Sequence, residues 1–183
     1  MKTTAEISDY LRYVADLYFA RYETGGRDKN MQVRGFAFAK AADAILNGQV
    51  DASGKFIGVG DSIHTVIKEF VTTGQSARMA GLQTAYVLPD DIQAMASLPG
   101  LTVPFLASLV AKFKVSDKAG LVAALPAIQA DNKAVGLRLQ TALLVDAARR
   151  EAPSAGAEQK TLDALKLDGA QTGRLPSDRE NKP

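Results

Sequence analysis

The stretch Gly54-Lys55-Phe56-Ile57-Gly58-Val59-Gly60-Asp61-Ser62-Ile63, continuing through His64 to Gly74, decides how this chain is read. Ile63, Val66, Ile67 and Phe70 recur at helical spacing, and Gly74 stands where a helix would stop, so the pattern predicts a helix beginning just after Gly60. Gly58 and Gly60 flank one apolar residue immediately before it. Lacking Cβ atoms, they let the backbone bend sharply and come close to a ligand. The amides of the helix's first turn have no intrahelical acceptor and suit an anion such as phosphate. The plain alternative is a tight turn that binds nothing.

The pattern returns later in the chain. Leu98-Pro99-Gly100-Leu101-Thr102-Val103-Pro104-Phe105 superposes on Phe56 to Ile63 at a constant offset of 42 residues. Apolar residues coincide at Phe56/Leu98, Val59/Leu101, Ile63/Phe105 and Ile67/Leu109, and a repeat outweighs either copy alone. Both copies resemble the helix-hairpin-helix motif, in which apolar residues alternate with glycines in a turn that leads into an apolar helix. The second copy departs in two places. Thr102 replaces the second glycine and adds a Cβ where the backbone would approach phosphate, and Pro104 has no amide hydrogen to donate. The second hairpin is therefore expected to be the weaker phosphate binder or purely structural.

Around the hairpins the chain reads as helices throughout. Thr3 and Glu6 have the spacing of a capping box, with Ile7, Tyr10, Leu11, Val14, Leu17 and Tyr18 on one face of a helix ending near Thr24. The tyrosines and Phe19 of this segment are expected mostly in the core. A second helix is predicted over Met31 to Leu46, a modest one over Ser76 to Ala85, and a short one opened by Leu88-Pro89-Asp90-Asp91. Ser116 is expected to cap a helix through Leu125, and Asn132 to Arg150 to form another, with Val135, Leu139, Leu143 and Ala147 on one face. From Pro153 the composition is polar and broken by Gly and Pro, which predicts a flexible tail; Glu158 to Leu167 could form only a short amphipathic helix within it.

Bulk properties narrow the function. The chain has 183 residues, no cysteine, one histidine and a formal charge of +2, with 17 basic and 14 acidic residues before position 151. Disulfides, thiolate metal sites and cysteine nucleophiles are excluded, and a lone His64 makes a zinc site improbable and a helix-packing role the better reading. No signal-peptide core or membrane-length apolar run is present, so an intracellular, cytoplasmic and reducing location is expected. Any affinity for nucleic acid must come from local geometry more than from bulk charge.

The order of parts resembles the amino-terminal region of X-family DNA polymerases, the DNA polymerase beta type. The resemblance covers residues 5 to 155. Phe36-Ala37-Phe38-Ala39-Lys40-Ala41-Ala42 is similar to that family's aromatic and basic helix. Gly58-Val59-Gly60 through Ile67-Lys68-Glu69-Phe70 and Thr73-Gly74 is similar to its first hairpin, and Val135-Gly136-Leu137-Arg138 to the start of the helix before its catalytic palm. The resemblance implies an all-α, SAM-like bundle with tandem helix-hairpin-helix motifs. It divides the chain into a lyase-like domain over 1–86, a second hairpin subdomain over 87–152 and a tail over 153–183.

The same resemblance limits the chemistry. The chain stops where the palm would start, so the two-metal ligands of nucleotidyl transfer are absent from it. The position of the family's lyase lysine falls on Val66, which has no nucleophile. Lys68, two residues on, is turned by about 200°. Arg34 falls where the family has a lysine, and a guanidinium is too firmly protonated to replace it. Lys40 and Lys55 remain as displaced candidates. The resemblance also implies a monovalent cation, Na+ or K+, on the carbonyls of Gly54, Phe56 and Val59, with no cofactor required.

Three functions follow as expectations. The leading one is a non-catalytic protein that grips the DNA sugar-phosphate backbone, on duplex, nicked or gapped substrates, with little regard to sequence. Its contacts would be Lys55, Gly58, Val59, Gly60, Asp61, Ser62 and Lys68, with Arg34 and Lys40 on the second helix and Gly100 and Thr102 at the second hairpin. An accessory role in replication, repair or packaging fits, with a nucleoid, phage or virion association. The alternatives are an abasic-site lyase with a displaced lysine, and a structural or protein-interaction module whose tail engages a partner. No membrane partner is expected.

Overall fold

The computed structural model describes residues 2–48 and 55–151. The tail over 153–183, its Glu158–Leu167 segment and Gly54 lie outside the described residues. The first helix, α1 (Thr4–Thr24), starts as its sequence predicts. The Thr3 hydroxyl accepts the Glu6 amide, and the Glu6 side chain accepts the Thr3 amide in return. A 21-residue helix with its apolar face on one side can serve as a central wall, and α1 packs against four others.

Asp28 caps α2 (Lys29–Leu46), which runs alongside α1. The two approach closely because the facing residues are small. A Cβ on Gly35 would sit 2.7 Å from the Phe19 ring, and Ala41 and Ala42 are fully packed. The first hairpin feeds α3 (Asp61–Thr73), which ends at Gly74 in the left-handed conformation, and Ser76 caps α4 (Ala77–Leu82). Tyr10 stacks on Phe70 with centroids 3.8 Å apart and donates to Ser76 Oγ at 2.6 Å, which locks α1, α3 and the start of α4 together.

Pro89 precedes α5 (Asp90–Ala94) as its cap residue, one position before the first-turn place expected for it, and a single 3-10 turn follows (Met95–Ser97). The second hairpin feeds α6 (Val103–Phe113), which packs on α1. The segment expected as one helix from Ser116 to Leu125 is instead two, α7 (Lys118–Ala123) and α8 (Leu125–Asp131). Asp117, not Ser116, caps α7, because its carboxylate accepts the Gly120 amide at 2.6 Å; Pro126 then suits the first turn of a new helix. Asn132 caps α9 (Lys133–Glu151) by accepting the Ala134 and Val135 amides.

Two apolar cores result. One holds Leu11, Val14, Leu17, Phe38, Ile45, Val66 and Phe70; the other holds Ala20, Ile92, Leu106, Leu121, Ile128 and Leu139. Because α1 contributes to both, it joins the two hairpin-bearing halves. This compact unit runs to Leu143, and a second unit begins at Leu144. In the latter, Arg150 pairs with Asp146 at 2.9 Å along the helix. The chain is all-α, with no strand among the described residues.

Candidate nucleic-acid interface

At the first hairpin, residues 56–59 form a tight turn closed by the Val59 amide donating to the Phe56 carbonyl at 3.3 Å. Gly58 has φ +82°, the left-handed value that this turn requires at its third position and that favours glycine. An added Cβ there would meet nothing, so the demand is conformational and not steric. Gly60 is extended and opens α3, and its carbonyl accepts the Ile63 and His64 amides at 2.9 and 3.0 Å. It brings no side-chain cap. No described residue supplies an acceptor to the Asp61 and Ser62 amides, and both residues are exposed, as are Gly58 and Gly60. Phe56 and Val59 are half-buried against the first core and hold the turn in place, while Ile57 is 54% exposed at its tip.

The charges here are mixed. Lys55 Nζ lies 2.8 Å from Asp61 Oδ1, and both side chains are exposed. The hydrogen bond from Lys55, its charge and a smaller contribution from His64 hold the Asp61 carboxyl below its ordinary value. Asp61 therefore keeps a negative charge beside the open amides, where it would oppose an anion approaching them. Lys68 lies seven residues on, about 20° around the helix and about 10.5 Å along it. A groove of 360 Å³ beside this half of α3 is lined by Ser62, Thr65, Glu69 and the α4 residue Arg78. Arg78 is exposed and donates to Tyr18 Oη at 3.2 Å. It escaped the motif because only the docking of α4 on α3 brings it there.

The second hairpin has the same turn and a different fate. The Leu101 amide donates to the Leu98 carbonyl at 3.1 Å, and Gly100 has φ +78°. Thr102 takes the place of Gly60, and its hydroxyl accepts the Phe105 amide at 3.2 Å while donating to Asp16 Oδ2 at 2.7 Å. Arg138 forms a two-pronged pair with Asp16, both contacts at 2.8 Å, lays its guanidinium over the Phe105 ring at 4.1 Å, and donates to the Gly100 carbonyl. Asp16 and Pro104 are buried. The protein's own groups thus fill this hairpin.

The remaining predicted residues are dispersed. Arg34 and Lys40 are exposed on α2, but six residues separate them by about 120° around the helix, so they form no single face. Of the predicted cation ligands, Phe56 and Val59 are described; the Phe56 carbonyl already accepts the Val59 amide. Val66, at the lyase position, is buried in the first core. His64 stacks near Phe56 with centroids 6.4 Å apart, and its buried Nε2 has no hydrogen-bond partner among the described residues. No group of metal-ligating side chains occurs among the described residues, and no described helix is long and apolar enough to cross a membrane. No known protein family, curated protein or solved structure matches the chain.

Proposed function

We propose that the chain is a sequence-independent DNA-binding protein that holds one stretch of sugar-phosphate backbone at the first hairpin. The observation that carries this reading is the uncapped, exposed start of α3 at Gly60-Asp61-Ser62. Two amides there point at solvent next to a backbone bare of Cβ atoms, with Lys55, Lys68 and Arg78 around it. Such contacts position a protein on DNA and carry no base information. The fold expected of the amino-terminal region of X-family polymerases, with tandem hairpins and a lyase-like first half, belongs to this proposal. So does the absence of lyase chemistry, since Val66 offers no amine.

With two or three phosphates engaged, affinity for a gapped duplex should fall about 10- to 40-fold between 50 and 200 mM salt. Gly60→Asp is the matching variant. Gly60 is extended and an added Cβ meets nothing, so the fold accepts the change, and the new carboxylate caps α3 and occupies the donors. Binding should drop at least tenfold while the melting temperature holds or rises. Affinity that is absent at low salt, or indifferent to both salt and this variant, rejects the proposal.

A second reading, a structural or protein-interaction module, is favoured by one observation: Thr102, Asp16 and Arg138 convert the repeated hairpin into a packing device. If the first hairpin serves the same end, no DNA binding will be found at any salt concentration.

A further inference from the structure

A cavity of 280 Å³ lies between α1 and α2 on one side and α6 and the start of α9 on the other. Its walls are aromatic, with Phe19, Tyr22, Phe36, Phe105 and Phe113 contributing, and seven charged side chains line it. Six of these satisfy one another. Arg12 pairs with Asp43 at 2.6 Å, Lys112 with Asp131 at 2.6 Å and Arg138 with Asp16 at 2.8 Å.

Glu23 pairs with none of the other charges that line the cavity. Its side chain is only 8% exposed, and its buried Oε2 accepts no hydrogen bond from any described residue. Its ion-pair partner, Arg27 Nε, lies 3.7 Å away, too far for a hydrogen bond, on a side chain that is 63% exposed. A buried carboxylate oxygen without a donor is costly, and native structures fill such positions with water, an ion or a ligand. One carboxylate cannot supply the several oxygens that a hard metal ion needs. The electron-rich faces of the aromatic rings instead favour an organic cation.

We propose that this cavity binds a small organic cation, a primary ammonium or guanidinium compound. Its charged end donates to Glu23, and its apolar body lies against Phe19 and Phe36. The two rings already meet edge to face at 5.1 Å, and Gly35 makes room for Phe19 by leaving out a side chain. Phe36 is 51% exposed and the Asp43 side chain 63%, so the rim is open to solvent. This site is separate from the first hairpin and from DNA binding there.

The test uses the full chain and three probes that share a phenethyl body: 2-phenylethylamine, the neutral 2-phenylethanol and the anionic 3-phenylpropionate, each titrated by calorimetry. The amine should bind saturably, and the other two at least tenfold more weakly. Glu23→Gln should weaken amine binding at least tenfold with an unchanged circular dichroism spectrum. Phe36→Ala, at an exposed position that folding tolerates, should weaken it severalfold. The proposal is overturned if the amine does not bind, if the alcohol binds equally well, or if Glu23→Gln or Phe36→Ala keeps full affinity. Absence of amine binding would mean that Glu23 is satisfied by water alone.

Discussion

The two hairpins share a turn and differ in what meets the helix that follows. In both, a left-handed glycine closes a tight turn and the next residue but one opens a helix. At Gly60 that helix begins bare and exposed, whereas at Thr102 it begins with a hydroxyl cap tied to a buried Asp16 that is paired with the half-buried Arg138. With threonine in place of glycine and proline two residues on, the second copy meets its own side chains where the first leaves its amides open. The repeat thus keeps its turn, while in the second copy Pro104 has no amide to offer, Thr102 caps the Phe105 amide and Arg138 covers the Gly100 carbonyl.

The largest effect is expected where the second hairpin is closed. Asp16→Ala leaves the mostly buried Arg138 without its carboxylate and Thr102 without its acceptor, and should cost about 3–5 kcal/mol in denaturant unfolding. A cost under about 1 kcal/mol would show that the closed hairpin is not held by this pair.

Matched glycine variants sharpen the contrast. Gly58→Ala and Gly100→Ala both force a Cβ into the left-handed region and should each cost about 1–2 kcal/mol. Only Gly58→Ala should also weaken DNA binding. Equal losses of binding would erase the distinction between the two copies.

A smaller change is expected at Asp61. Asp61→Asn removes the charge that competes with phosphate and should tighten DNA binding about fivefold at low salt. Lys55 depresses the Asp61 pKa, so whatever stability their pair contributes is present at neutral pH. It is lost only as pH falls below the ordinary carboxylate range. The wild type should approach the binding of the variant over that same acidic range, whereas a gap that persists below it would assign the effect to something other than charge.

The smallest effect belongs to α1, whose capped start is the control for α3. Hydrogen bonding to the Thr3 amide, with help from Lys2, lowers the Glu6 pKa from 4.5 to about 2. Its contribution is therefore complete above pH 4.5 and lost as pH falls toward 2. The stability difference between the wild type and Glu6→Gln should shrink across this interval and be flat above it.

The parts of this structure set by neighbouring residues were legible in the sequence. The Thr3–Glu6 capping box, the stop at Gly74 and both turns depend on spacings of a few residues, and all are found. The all-α class follows from the same periodicity. Asp117 rather than Ser116 caps α7 because two adjacent residues with capping side chains are hard to tell apart by spacing alone. What could not be read is long-range. Thr102 reaches Asp16 across 86 positions and Arg138 reaches it across 122, and only the completed fold, with α6 packed on α1, brings them together. Thr102 was legible as a departure from the motif, but not as a helix cap bonded to Asp16. The Glu23 cavity left no motif at all, since a leftover charge becomes visible only once its neighbours have paired.

The difference between the two hairpins is tested most directly by following backbone amide resonances while a short gapped duplex is titrated into the isotope-labelled chain at low salt. The Asp61 and Ser62 amides should shift and saturate together, with those of Gly100 to Phe105 unmoved. Shifts at the second hairpin equal to those at the first, or saturable binding that leaves Asp61 and Ser62 unchanged, would contradict the account.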